Sequence, residues 1–146
     1  MSWSLQSGPV ILDKRMDDES DQSACIFCYQ QVRHRIVAEH GSAVAIMDGY
    51  PVTPGHTLVI PRRHVSAYFD LSEEERRDAD RLLEIMYQRL ARKDASISGY
   101  NIGLNCGATA GQTIFHVHYH LIPRRAGDTD NPRGGVRGAI RGKRNY

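Results

Sequence analysis

The chain has 146 residues, 40% of them hydrophobic, and a formal net charge of +2. That size suits one globular domain with a real core, and no apolar run is long enough to span a bilayer. The opening MSWSLQSGPVILDKRMDDES has no basic leader and its apolar run, residues 9–12, is too short for a signal core, so a cytoplasmic protein without a membrane partner is expected.

The cysteine count is three, an odd number that argues against a disulfide framework. In a reducing compartment a C-x-x-C pair points instead to metal or redox chemistry. Charge is spread unevenly. Residues 1–24 set Lys14 and Arg15 against Asp13, Asp17, Asp18, Glu19 and Asp21, whereas residues 124–146 set seven Lys or Arg against Asp128 and Asp130. A basic tail of this kind is either a solvated polyanion-binding arm or a set of cations near an anionic substrate. It has no aromatic residue before Tyr146, so base stacking is poorly supported and a nucleic-acid partner is not expected.

Residues 1–22 read as a loose acidic lead-in, 23–125 as the domain, and 126–146 as the tail. The stretch RIVAEHGSAVAIMD predicts a hairpin, with strands near residues 35–39 and 43–48 turning at His40-Gly41. The loop GYPVTPG and the strand HTLVIPRR follow. In DLSEEERRDADRLLEIMYQRLARK, Ser72 and Glu75 form a capping box, and Ala79, Leu82, Leu83, Met86 and Leu90 recur at helical spacing as one core stripe. GYNIGLN gives another strand. The loop from Asn105 to Gln112 carries Gly107 and Gly111, which would let backbone amides approach an anion. These elements predict an α+β domain of mostly antiparallel strands around one long helix.

The segment TIFHVHYHLIP, residues 113–123, reads as a strand that stops at proline. Alternation puts His116, His118 and His120 on one face, opening toward solvent or a cleft, and Val117, Tyr119 and Leu121 on the core face. Such an imidazole row is either a metal cage or a catalytic set.

GQTIFHVHYHLIPR resembles the signature of the histidine triad (HIT) superfamily, in which three histidines alternate with apolar residues. DGYPVTPGHTLVIPRRH and NCGATAGQT resemble the family's upstream and phosphate-loop segments, in the same order. The resemblance implies a homodimer, each subunit an antiparallel sheet with one long helix and a nucleotide-binding cleft. It implies a nucleotide hydrolase or transferase that attacks an α-phosphate with the middle histidine, here His118. Its flanking histidines, His116 and His120, would orient it and donate to phosphoryl oxygens. Thr113 would donate to the leaving group, backbone amides around Gly111, Gln112 and Thr113 would hold the phosphate, and Asn105 would contact ribose or phosphate. Asp48 would accept from ribose hydroxyls, and Phe27 and Ile46 would line the pocket of a purine base or simply belong to the core. His56 falls near the site in the family pattern and is equally compatible with a structural role.

The pair Cys25 and Cys28 in CIFC has metal-ligand spacing, but a structural zinc needs four ligands. The resemblance supplies the others. One subset of the superfamily, the zinc-containing Hint-like branch, holds zinc with the cysteine pair, a histidine after the upstream strand and the first triad histidine, which here are Cys25, Cys28, His64 and His116. The expected activity is hydrolysis of nucleoside phosphoramidates or dinucleoside polyphosphates through a nucleotidyl-histidine. The alternatives are a nucleotidyltransferase that shares this intermediate, or a non-catalytic, zinc-stabilised nucleotide- or RNA-binding module.

Overall fold

The structure is a computed structural model that describes residues 25–145; the acidic lead-in lies outside the described residues. Five antiparallel strands form one sheet: β1 (Ile36–His40), β2 (Ala43–Met47), β3 (Thr57–Pro61), β4 (Ile97–Gly103) and β5 (Tyr119–Arg125), in the spatial order β1-β2-β3-β5-β4. A single turn of helix, α1 (Tyr29–Val32), precedes β1, and the long α2 (Glu73–Lys93) links β3 to β4.

The helix begins where its sequence says it should. Ser72 Oγ accepts the Glu75 N–H at 3.1 Å, and Glu75 Oε2 accepts the Ser72 N–H at 2.8 Å, satisfying two otherwise unpaired amides. Glu75 also receives a bidentate pair of bonds from Arg63, both 2.8 Å, so the start of α2 is fastened to the chain leaving β3. Those Arg63 bonds are the main reason the buried Glu75 carboxyl titrates below its ordinary value.

The period-two alternation of the strands sorts the core into two sides of the sheet. Ala45, Val59 and Leu121 meet the α2 stripe of Ala79, Leu82, Leu83, Met86 and Leu90, all buried. On the opposite side, Val44, Ile46, Leu58 and Ile60 pack with Phe27 and Val32. Leu58 pairs with His120, so the functional imidazoles belong to this second side, away from α2.

The histidine segment departs from the expected strand at both ends. Residues 113–118 are irregular, with bends at 114–116, and are not in the ladder; β5 starts at Tyr119. The β3 pairing ends at Val59 with Tyr119, and before it the Val117 N–H donates instead to the Val65 carbonyl beyond β3, at 2.7 Å. At the other end the strand passes through Pro123 to Arg125. The last β3 pair is Thr57 with Leu121, so Pro123 lies where β4 alone flanks the strand, a position that tolerates a missing donor.

The tail carries one short 3-10 turn (Gly135–Ala139) among the described residues, with Gly135 brought beside Asn101 of β4. No helix among the described residues is long and apolar enough to cross a membrane.

Candidate functional site

Two clusters of ligating side chains stand next to each other on the sheet face opposite α2. Cys25, Cys28, His64 and His116 form one, and Asp48, His56 and His120 the other; in each, the ligand atoms lie within 4.8 Å of one another. His118 sits between them, its ring 5.2 Å from that of His120 and 5.0 Å from Phe27, in edge contacts. The row is more enclosed than alternation alone implies: His116 is fully buried, His118 is 8% exposed and His120 is half-buried.

The chemistry of each imidazole follows from what its other nitrogen meets. His116 Nε2 lies 2.8 Å from the Pro61 carbonyl, so that nitrogen carries the proton and Nδ1 presents a lone pair to the cysteines. Cys25 Sγ is 3.6 Å from His116 Nδ1, and Cys28 Sγ is 3.4 Å from His64 Nδ1. A tetrahedral ion about 2.3 Å from sulfur and about 2.0–2.1 Å from nitrogen would separate such ligands by about 3.5 Å. The soft donor set, the spacing and the His116 tautomer therefore all fit a metal ion. Burial, reinforced by the neighbouring Cys25, pushes the Cys28 thiol up to about 11. Burial also holds His116 neutral, down to about 4.

The second cluster has a different logic. His56 Nδ1 accepts the Val52 N–H at 3.2 Å, so its proton must be on Nε2. That Nε2–H points at His120 Nδ1, 2.9 Å away, with Asp48 Oδ2 at 3.4 Å. A protonated Nε2 cannot ligate a metal, so this group is a hydrogen-bond relay although its atoms are close enough for an ion. His120 accepts at Nδ1 and keeps its own proton on Nε2. Burial is the main cause of its low titration, about 4, reinforced by His118 and His56. His118 Nδ1 meets the His116 carbonyl at 2.8 Å, which puts the proton there and frees Nε2. The result is one imidazole with a free lone pair beside one with a free N–H.

The other sequence-predicted residues are distributed as follows. Asp48 follows β2 directly; its Oδ1 accepts the Tyr50 N–H at 2.8 Å while Oδ2 faces His56. Phe27 is buried against His118, whereas Ile46 is wholly enclosed in the core. Asn105 and Thr113 are exposed, and Asn105 lies beneath Gly111, whose φ of +94° takes the loop through a left-handed turn. Gln112 is buried and braces this loop: Oε1 accepts the Gly107 N–H at 2.8 Å and Nε2 donates to the Ser66 and Ile114 carbonyls. The amides of Gly111 and Gln112 donate to the Ala108 and Gly107 carbonyls and so are directed into the loop itself.

Sequence reasoning gave His56 no assigned role. Its signal is tertiary: β3 register sets Leu58 opposite His120, which makes His56 a diagonal neighbour on the same face.

Comparison with known proteins agrees with this geometry. The chain is 37% identical over 113 residues to a HIT-like protein of Saccharolobus solfataricus, covering 73% of this chain and 78% of that one. It is 41% identical over 86 residues to the asymmetrical bis(5'-nucleosyl)-tetraphosphatase of Schizosaccharomyces pombe, covering 59% of this chain and 47% of that one. It also superposes on a zinc-bound histidine triad family protein of Mycobacterium smegmatis with a TM-score of 0.59 and 35% identity, over 73% of this chain and 79% of that one. Residues 30–127 match the family model of the HIT domain, and the chain belongs to the HIT domain family.

Proposed function

We propose that the chain is a nucleotide hydrolase that cleaves at an α-phosphate through a covalent nucleotidyl-His118. The observation that carries this reading is the 2.8 Å bond from His118 Nδ1 to the His116 carbonyl, which engages Nδ1 as a donor and leaves Nε2 as the nitrogen that can attack. Attack forms an N–P bond as the bond to the leaving group breaks, dividing one displacement into two easier ones. Water then attacks phosphorus, the N–P bond breaks, and His118 is regenerated. His120 Nε2–H, fixed by His56, is the donor to phosphoryl oxygen, and a preorganised donor of this kind stabilises charge as it develops.

The substrates in this reading are purine nucleoside phosphoramidates or dinucleoside polyphosphates. The Schizosaccharomyces relative, named a bis(5'-nucleosyl)-tetraphosphatase, supports the second class. Phe27 offers an apolar surface to the base, Asp48 an acceptor to ribose, Asn105 a polar contact to ribose or phosphate, and exposed Thr113 a donor to the leaving group. Zinc is assigned to Cys25, Cys28, His64 and His116; it would fix the fold around His116 and leave the phosphate to His118 and His120. The donor set and the zinc-bound Mycobacterium relative support it, and they favour the Hint-like branch.

A homodimer paired through β4 completes the proposal. That strand is at the edge of the sheet and exposes Ile102, while α2 exposes Tyr87 in edge contact with Tyr100, an edge that invites pairing. A panel of adenosine phosphoramidate, diadenosine triphosphate and diadenosine tetraphosphate tests the activity. Turnover of at least one class supports a hydrolase. Turnover only with an added acceptor indicates a nucleotidyltransferase, and binding without turnover indicates a nucleotide-binding module.

A further inference from the structure

The turn that carries His56 is held from outside the site by one side chain. Arg125, the last residue of β5, reaches back across the sheet end and donates from Nη1 to Thr53 Oγ1 at 2.8 Å and from Nη2 to the Pro54 carbonyl at 3.0 Å. The same guanidinium is anchored behind by Asp94, the residue capping α2, at 2.6 Å, and by Ser96 Oγ at 3.1 Å. The Arg125 side chain is 19% exposed and that of Asp94 37%. Thr53 in turn accepts the His56 N–H at its carbonyl, 3.1 Å away, and Val52 supplies the N–H that fixes the His56 tautomer. Gly55 completes the attachment: with φ at +90°, a Cβ placed there would lie 3.1 Å from Leu90 and 3.2 Å from Pro123, so the turn rests directly on α2 and β5.

We infer that Arg125 is a positioning residue for the proposed phosphoryl-transfer site, acting through the 52–56 turn to keep the His56 Nε2–H aimed at His120 Nδ1. The inference rests on the function proposed above but adds a residue with no contact to substrate. The planar fork matters: five donors in fixed geometry can meet Thr53, Pro54, Asp94 and Ser96 together, whereas a lysine ammonium at this site can keep the Asp94 pair but not the whole set. Released from Arg125, the turn keeps its bonds from His56 N–H to Thr53 and from Thr57 Oγ1 to Gly55 but loses its tie to the end of α2, which loosens Val52 and lets His56 rotate or exchange its ring proton. His120 would then no longer be confined to the tautomer with a free Nε2–H.

The test uses the full chain with its metal retained, in the variants Arg125→Lys, Arg125→Ala and Thr53→Val, the last removing one acceptor without touching the sheet. Nitrogen NMR of the histidine rings reads the His56 and His120 tautomers without reference to activity, and steady-state kinetics reads kcat and KM separately. Arg125→Lys should melt close to the parent yet show mixed His56 tautomers, with kcat down about tenfold to a hundredfold, the scale of a small misplacement, and KM little changed. Thr53→Val should move both readouts the same way by less. If Arg125→Ala fails to fold, the other two variants still decide. Unaltered tautomers and unaltered kcat in both would overturn the inference. A parent enzyme without turnover, but with the tautomers shifting in the variants, would sink the proposed function and leave the positioning role standing.

Discussion

His56 Nε2 lies 2.9 Å from His120 Nδ1, and this contact decides which proton His120 can offer. Because His56 Nδ1 already accepts the Val52 N–H, the shared proton belongs to His56, and His120 is left with a donor at Nε2. We therefore expect His56→Phe, which keeps a ring but no proton, to lower kcat by about 10²–10³, the usual scale for loss of one oriented transition-state donor. Nucleotide affinity should change little, since His56 is buried, 3% exposed. A loss appearing wholly in KM would show that His56 serves binding and not the transition state.

The cysteine-histidine quartet predicts a stability effect. Purified protein should carry about one zinc per chain, and a strong chelator should lower its melting temperature, because metal bound only by the folded state adds directly to folding free energy. Cys28→Ser should lose the metal and reproduce the melting temperature of the chelated parent. Metal-free protein with unchanged stability would remove zinc from the account.

His120 predicts a pH dependence. Burial holds its folded-state titration near about 4, against an ordinary value of 6.5. Below 6.5 an unfolded chain binds a proton at this imidazole and the folded chain does not, so this contribution is complete above pH 6.5 and is lost as pH falls toward 4. The paired carboxylates Asp94 and Asp128, both held to about 2 chiefly by hydrogen bonds, are lost only at lower pH. Urea unfolding of His120→Asn between pH ~7 and ~4 should therefore show a shallower slope than the parent. Equal slopes would mean that His120 is solvated in the folded state.

Local rules made α2 readable. Its capping box and its stripe from Ala79 to Leu90 are short-range signals, and the structure reproduces both. The hairpin of β1 and β2 was legible for the same reason. The histidine segment was less so, because a strand exists only where a partner pairs with it, and the β3 pairing ends at Tyr119. Identities within the site were visible as residue types, yet their protons were not. The tautomers of His116, His118 and His56 are set by Pro61, His116 and Val52 backbone groups that only the fold brings near. Ile46, which a pocket reading would place against the base, has no exposed surface at all.

The tail makes a separate prediction. Arg124 pairs twice with Asp128, at 2.8 and 2.7 Å, and donates to Asn101 at 2.7 Å, which roots the tail on β4 and β5. Arg133 and Arg137 lie beyond that root, and in the proposed dimer they would reach the leaving portion of an anionic substrate in the partner's site. Truncation after Gly127 should preserve nucleotidyl transfer to His118, weaken dimerisation, and raise KM more for a dinucleoside polyphosphate than for a small phosphoramidate. Equal constants for both substrates, with the dimer intact, would make the tail a solvated arm.

The central claim is covalent, and intact mass tests it most directly. On rapid quenching with a labile adenylate substrate, the parent should gain one adenylyl group that maps to His118. His118→Ala should show no adduct and lose turnover by several orders of magnitude while still folding and binding nucleotide. An adduct on another residue, or turnover in His118→Ala within about tenfold of the parent, would contradict the account.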